Sequence, residues 1–205
     1  MERKYAFLFA LSITLIISIN IYLFSIQFSP SRESVIVSRV IDGDTLELED
    51  GRKIRLANIN TPEKNFPNYE LSINYLMQFI NNSIEMEIMG VEKYGRILAK
   101  LYVPYYLNIE LVKQGLASKF LVEDSEVEEF ANAEMQAIEL SKGIWKKSQY
   151  FGCFESIIDE INEQVTIINK CNKINITSWI LKDESRQYLK FGELEIGLVR
   201  LHTNE

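Results

Sequence analysis

The amino-terminal end of the chain and the remainder follow different hydrophobic rhythms. After Arg3 and Lys4, residues 5–28 carry no charge and are dense in Leu, Ile and Phe, ending at Ser29, Pro30, Ser31 and Arg32. As a helix this run would rise about 36 Å, enough to cross a bilayer. Its short basic flank predicts an amino terminus held inside and a remainder that is exported. It reads as an uncleaved anchor, because signal peptides have shorter apolar cores and a small-residue cleavage site. Secretion after cleavage is the alternative.

From position 34 the pattern turns to short alternating runs. Those at 34–40, 44–49 and 53–59 predict three antiparallel strands, with Asp50-Gly51 as a two-residue hairpin signal between the last two. Leu71, Tyr75, Leu76, Phe79 and Ile80 recur at helical spacing within 69–80. Two more strands are expected at 84–89 and 97–103. Five strands with a helix between the third and fourth is the order of an OB-type barrel. Two helices should finish the unit. One covers 109–116 and is closed by Gly115; the other covers 126–142, with a Ser125-x-x-Glu128 capping box and a stop at Gly143. The acidic run 123–129 reads as a solvated helix start, where negative charge is favoured.

Beyond Trp145, strand-like pieces at 164–168, 178–181, 188–191 and 198–202 predict a small β unit, of a size that is marginal alone. The expected fold class is α+β. A five-stranded OB-type β-barrel with three helices occupies 34–148, a transmembrane helix lies within 1–33, and a small β extension fills 149–205.

Composition then narrows the chemistry. The 205 residues hold 22 basic and 29 acidic side chains, a formal charge of −7, so a general electrostatic grip on nucleic acid is absent and any polyanion must be held by a few placed cations. The single histidine, His202, disfavours serine triads and histidine-rich zinc sites. Cys153 and Cys171 have no CxxC spacing. They are either two buried thiols or, in an oxidising compartment, a disulfide.

Reactive residue types concentrate in Asp42-Gly43-Asp44-Thr45 and in Arg55-Leu56 followed by Asn60-Thr61-Pro62-Glu63. Oxygen ligands beside an arginine suit a hard cation and a phosphate. Taken singly, Asp-Gly-Asp is also a common turn and Thr-Pro-Glu a common helix start. A third element, Lys93-Tyr94-Gly95-Arg96, is a turn that can present a second arginine.

In this order, and with Leu111-Val112-Lys113-Gln114-Gly115-Leu116-Ala117 behind them, these blocks resemble the staphylococcal-type (micrococcal) thermonuclease family over about 34–145. The resemblance implies a calcium-dependent endonuclease acting on DNA or RNA and leaving 3′-phosphate ends. It implies that Asp44, Asn60 and the main-chain carbonyl of Thr61 hold Ca²⁺, with Asp42 supporting them. Glu63 would orient or activate the attacking water, Arg55 and Arg96 would bind the scissile phosphate, and Lys93 and Tyr94 would contact a neighbouring one. Two departures stand out. Asn60 occupies a position where the family often has aspartate, and the aromatic base-stacking position after Gln114-Gly115-Leu116-Ala117 is represented only by Phe120.

The tail, through Asn162-Glu163 to Asn169 and Ile176 to Asp183-Glu184, resembles the start of a lamin-tail domain, which implies an immunoglobulin-like sandwich with Trp179 in its core. Its partner is not specified by the sequence. The rival to an extracytoplasmic nuclease is a catalytically weak nucleic-acid-binding module of the same fold, tethered to the membrane, and Asn60 is the residue that favours it.

Overall fold

The structure, a computed structural model, describes residues 2–27, 31–159, 161, 164–182, 188–191, 195–196 and 198–202. The chain divides into two units, Met1–Ala57 with Ser72–Glu110, and Asn58–Leu71 with Leu111–Glu205.

In the first unit, strands β1 (Arg32–Asp42), β2 (Thr45–Leu48), β3 (Lys53–Leu56), β4 (Ser83–Val91) and β5 (Ile97–Tyr102) close into a barrel in the order β1-β2-β3-β5-β4. Each strand puts two residues, two positions apart, into the interior: Val35 and Val37, Leu46 and Leu48, Ile54 and Leu56, Ile84 and Met86, Ala99 and Leu101. That period of two is what makes the barrel close on an apolar centre. Each of the larger side chains contributes about 1.5–3 kcal/mol by leaving water. All neighbouring strands are antiparallel except β3 and β5, which run parallel with Leu56 opposite Ala99. Two irregularities bend β1, and the second sets Asp42 opposite Thr45. The Asp50-Gly51 turn forms as expected, with Gly51 at φ +86°.

Helix α2 (Tyr69–Leu76) runs on as a tighter turn, Met77–Phe79, and stops where Ile80 bridges to Val37 of β1. Within the first unit, the fully buried Asn108 in α3 (Leu107–Lys113) accepts the Leu101 N–H on Oδ1 and donates from Nδ2 to the carbonyls of Ala57 and Ala99. One amide thereby fastens the start of α3 to the parallel seam, and leaves no buried polar atom of its own unmet.

Ahead of the barrel, the apolar run forms helix α1 (Glu2–Gln27). Among the described residues, however, no helix is long and apolar enough to cross a membrane, which corrects the expectation of a transmembrane span over 5–28. Helix α1 carries no charged side chain from Tyr5 to Gln27. It also includes Ser12, Thr14 and Asn20, whose side chains fold back onto the carbonyls of Phe9, Leu11 and Ile16. Phe28, Ser29 and Pro30 lie outside the described residues.

In the second unit, helix α4 (Val127–Glu139) buries Phe130, Ala133 and Ala137 at helical spacing. The expected capping box is not made: the helix starts after Glu126 with no side-chain cap, and the Glu126 carboxylate accepts the Asn58 amide at 2.7 Å instead. Gly115 and Gly143 meet closely, the Ile144 N–H donating to the Gly115 carbonyl at 2.8 Å.

The tail forms a three-stranded sheet, Leu198–His202, Gln164–Asn169 and Phe154–Asp159, and two short pairs, Ile174–Asn175 with Glu195–Ile196 and Ile180–Lys182 with Tyr188–Lys190. The strands at Phe154, Ile174 and Glu195 were not anticipated. Cys153 and Cys171 are joined as a disulfide, and Cys153, Ile174 and Ile176 form a small core flanked by Tyr150, Phe154, Trp179 and Phe191. Asn162, Glu163, Asp183 and Glu184 of the tail resemblance lie outside the described residues.

Candidate active site

At the end of β1 the Asp42 side chain folds over the turn, and its Oδ1 accepts the Asp44 N–H at 3.1 Å. This local bond fixes the Asp-Gly-Asp turn, as short acidic side chains do where the chain reverses. Asp44, only 7% exposed, then points its carboxylate at two neighbours. The Thr45 hydroxyl donates to Oδ1 at 3.1 Å, and Arg55 Nη2 lies 3.1 Å from Oδ2. Arg55 arrives there because β2 and β3 pair Thr45 directly with it. Its Nη1 donates to the Leu56 carbonyl at 2.6 Å.

The electrostatics of this pair are unequal. Burial pushes the Asp44 carboxyl up to about 6, the Arg55 charge pulls against that rise, and the charge of Asp42 reinforces it. One guanidinium does not fully offset the burial of Asp44 and the neighbouring charge of Asp42.

The hairpin between β4 and β5 supplies the second arginine. The Glu92 N–H donates to the Arg96 carbonyl and the Gly95 N–H to the Glu92 carbonyl, both at 2.9 Å, with Gly95 at φ +78°. The Glu92 carboxylate accepts Arg96 Nε at 2.7 Å, and Arg96 Nη1 reaches the Thr45 hydroxyl at 3.5 Å. Lys93 and Tyr94 form the exposed tip, Tyr94 being 81% exposed. Of the residues singled out by sequence, Asp42, Asp44, Arg55 and Arg96 are therefore linked in one unit through Thr45. The roles of Thr45 and Glu92 were missed. Glu92 had a signal, an acid four residues before Arg96, whereas the position of Thr45 needed the strand register.

Asn60, Thr61 and Glu63 belong to the second unit. Ile59–Asn60 pairs with Ser118–Lys119, and the Ser118 hydroxyl donates to the Asn60 carbonyl at 3.3 Å. Thr61 is 6% exposed. Glu63 is half-buried, and its carbonyl accepts the Phe66 N–H at 3.0 Å, which closes the following turn.

Among the described residues, no group of three or more His, Cys, Asp or Glu side chains comes together in a way that could hold a metal ion. The set implied for calcium is of another kind: one carboxylate, one amide oxygen and one main-chain carbonyl, all hard oxygen donors of the sort calcium takes. The dry Asp44 carboxylate with Asp42 against it is a place where a cation relieves unfavourable charge. The donor chemistry fits.

A barrel of this topology, followed by helices and carrying carboxylates and guanidiniums at its strand ends, defines a class: OB-type domains with a polar site built on turns. The family model described as "Staphylococcal nuclease homologue" matches residues 53–147, so this stretch is a domain of the staphylococcal-nuclease type. The match includes Arg55, Asn60, Thr61, Glu63 and Arg96; Asp42 and Asp44 precede it and are joined to it by the contact with Arg55. An "Uncharacterized endonuclease" of Escherichia coli is 36% identical over 87 residues, 40% of this chain and 57% of that protein. A "Thermonuclease" of Staphylococcus intermedius is 35% identical over 98 residues, 42% of this chain and 58% of that protein. The chain thus spans little more than half the length of these curated relatives.

Proposed function

We propose that the chain is a calcium-dependent phosphodiesterase that hydrolyses DNA or RNA outside the cytoplasm. The observation that carries the reading is the linkage of a buried carboxylate to two arginines: Asp44 bonds Arg55 and, through Thr45, reaches Arg96. In this reading Arg55 and Arg96 bind the non-bridging oxygens of the scissile phosphate, where charge accumulates as water adds to phosphorus. Glu63 takes the proton of that water, the bond from phosphorus to the 5′ oxygen breaks, and the 5′ oxygen is protonated from solvent. Lys93 and Tyr94 on the exposed tip steady the next phosphate. Asp44, the Asn60 amide and the Thr61 carbonyl would hold Ca²⁺, which supplies further stabilisation of the developing charge when bound. The disulfide between Cys153 and Cys171 supports an oxidising, extracytoplasmic location.

The test is cleavage of single-stranded and duplex DNA and of RNA by the full chain, with calcium and then with EGTA. Calcium-dependent cleavage leaving 3′-phosphate ends is expected. Binding without cleavage at every pH tried would replace the enzyme with a binding module.

A further inference from the structure

The sequence carries two N-x-S/T triplets, Asn81-Asn82-Ser83 and Asn175-Ile176-Thr177, and the fold treats them differently. We propose that Asn175 is the acceptor of an N-linked glycan, transferred to the folded chain, and that Asn81 is passed over. The triplet is the acceptor signal for this modification in exported proteins. The proposal shares with the function proposed above only the extracytoplasmic location, and it involves none of the catalytic residues.

Around Asn175 the backbone presents what a transferase must grip. Ile176 is 2% exposed, in the small core with Cys153 and Ile174, whereas Asn175 and Thr177 are both exposed. Alternate residues of an extended stretch face the same way, so the amide and the hydroxyl leave the surface together while Ile176 anchors them from within. The Thr177 N–H donates to Asn175 Oδ1 at 2.8 Å. This short-range bond fixes the side chain through its oxygen and leaves Nδ2, the atom to be modified, uncommitted. The chain then reverses through Ser178 at φ +67°, whose N–H donates to the Phe191 carbonyl at 3.0 Å, and upstream the disulfide holds Cys171. The acceptor therefore stands on a segment fastened at both ends.

The other triplet is committed to the barrel. The Asn81 N–H donates to the Val37 carbonyl at 2.8 Å, Ser83 pairs with Ile36 of β1, and the Ser83 hydroxyl lies 2.8 Å from that of Ser34. Asn81 also takes φ +61°, which departs from the extended form that sets the first and third residues on one side. Its hydroxyl partner is already engaged.

In the transfer, Asn175 Nδ2 attacks the anomeric carbon of a polyisoprenyl-diphosphate-linked oligosaccharide. The carbon–nitrogen bond forms as the bond from that carbon to the diphosphate oxygen breaks. The lipid diphosphate departs with the electron pair, and one amide proton passes to a base of the cell's transferase. Because Ile176 fills the core side, the glycan grows away from the packed residues.

The full chain is produced in the cells it comes from, and its proteolytic peptides are read by mass spectrometry. The Asn175 peptide should carry a glycan mass and the Asn81 peptide none. Asn175→Gln and Thr177→Ala should each abolish it, and Thr177→Ser should keep it. An intact link between Cys153 and Cys171 in every variant shows that the tail is folded. A bare Asn175 peptide, a glycan that survives Thr177→Ala, or equal occupancy of Asn81 would overturn the proposal. Location and cleavage are measured on the same material. A chain that cleaves outside the cytoplasm with Asn175 bare removes the glycan alone, and a glycosylated chain that cleaves nothing removes the catalytic reading alone. Confinement to the cytoplasm removes the location and the glycan with it.

Discussion

The Asp44 carboxylate and the Arg55 guanidinium meet at 3.1 Å with their side chains only 11% and 10% exposed. Each faces the other in dry surroundings, beside the Thr45 hydroxyl on Asp44 and the Leu56 carbonyl on Arg55. Arg55→Leu should therefore cost about 3 kcal/mol, because it strands a buried carboxylate. Urea denaturation reads the loss directly. Adding Asp44→Asn to that variant should recover most of the stability and none of the cleavage. A double variant no more stable than Arg55→Leu would show that the loss comes from packing instead.

Arg96 is in a different situation, on a hairpin turn with one side open. Arg96→Lys should leave the melting temperature unchanged, since Glu92 can pair with an ammonium group as it does with the guanidinium. Cleavage should fall about 100-fold, because lysine keeps the charge and loses the fork that spans two phosphate oxygens. Near-normal turnover would remove Arg96 from the phosphate site.

Asn60→Asp tests the implied ligand set. An added carboxylate should lower the calcium needed for half-maximal cleavage about tenfold, a gain of ~1.4 kcal/mol in cation binding. Calcium titration at fixed ionic strength separates this from a purely structural Asn60, for which the half-point stays where it is.

The barrel was legible because each strand declares itself with inward residues two positions apart, from Val35 and Val37 to Ala99 and Leu101. Other features were not. The cap of α4 was misread because Ser125-x-x-Glu128 matches a capping box in sequence, whereas the helix starts after Glu126 with no side-chain cap and the Glu126 carboxylate is engaged by Asn58, far away along the chain. Strands of two residues, such as Ile174–Asn175, are too short for alternation to register. In the candidate site the reactive groups were visible as residue types, but the hydroxyl of Thr45 acquires its meaning only from the β2–β3 register that sets it against Arg55.

Gly115 offers a prediction independent of catalysis. It sits at φ +67°, and a Cβ there would lie 2.4 Å from the Lys142 carbonyl oxygen. Gly115→Ala should destabilise the protein by more than about 1 kcal/mol, the sum of a strained backbone and a forced separation from the Gly143 turn. Thermal denaturation reads it as a lowered midpoint. An unchanged midpoint would mean that residues 142–143 shift without penalty.

The parallel seam between β3 and β5 also dictates the order in which the barrel can assemble. The β1-β2-β3 meander and the β4-β5 hairpin each pair neighbouring stretches and can form early, at little cost in loop closure. Joining Leu56 to Ala99 requires the whole intervening chain, α2 included, to be gathered first. The slow step of folding should then be the meeting of these two ribbons, along this seam and the β1–β4 seam, with Asn108 locking the parallel junction after they touch. An Asn108 substitution should accordingly accelerate unfolding while scarcely changing the folding rate.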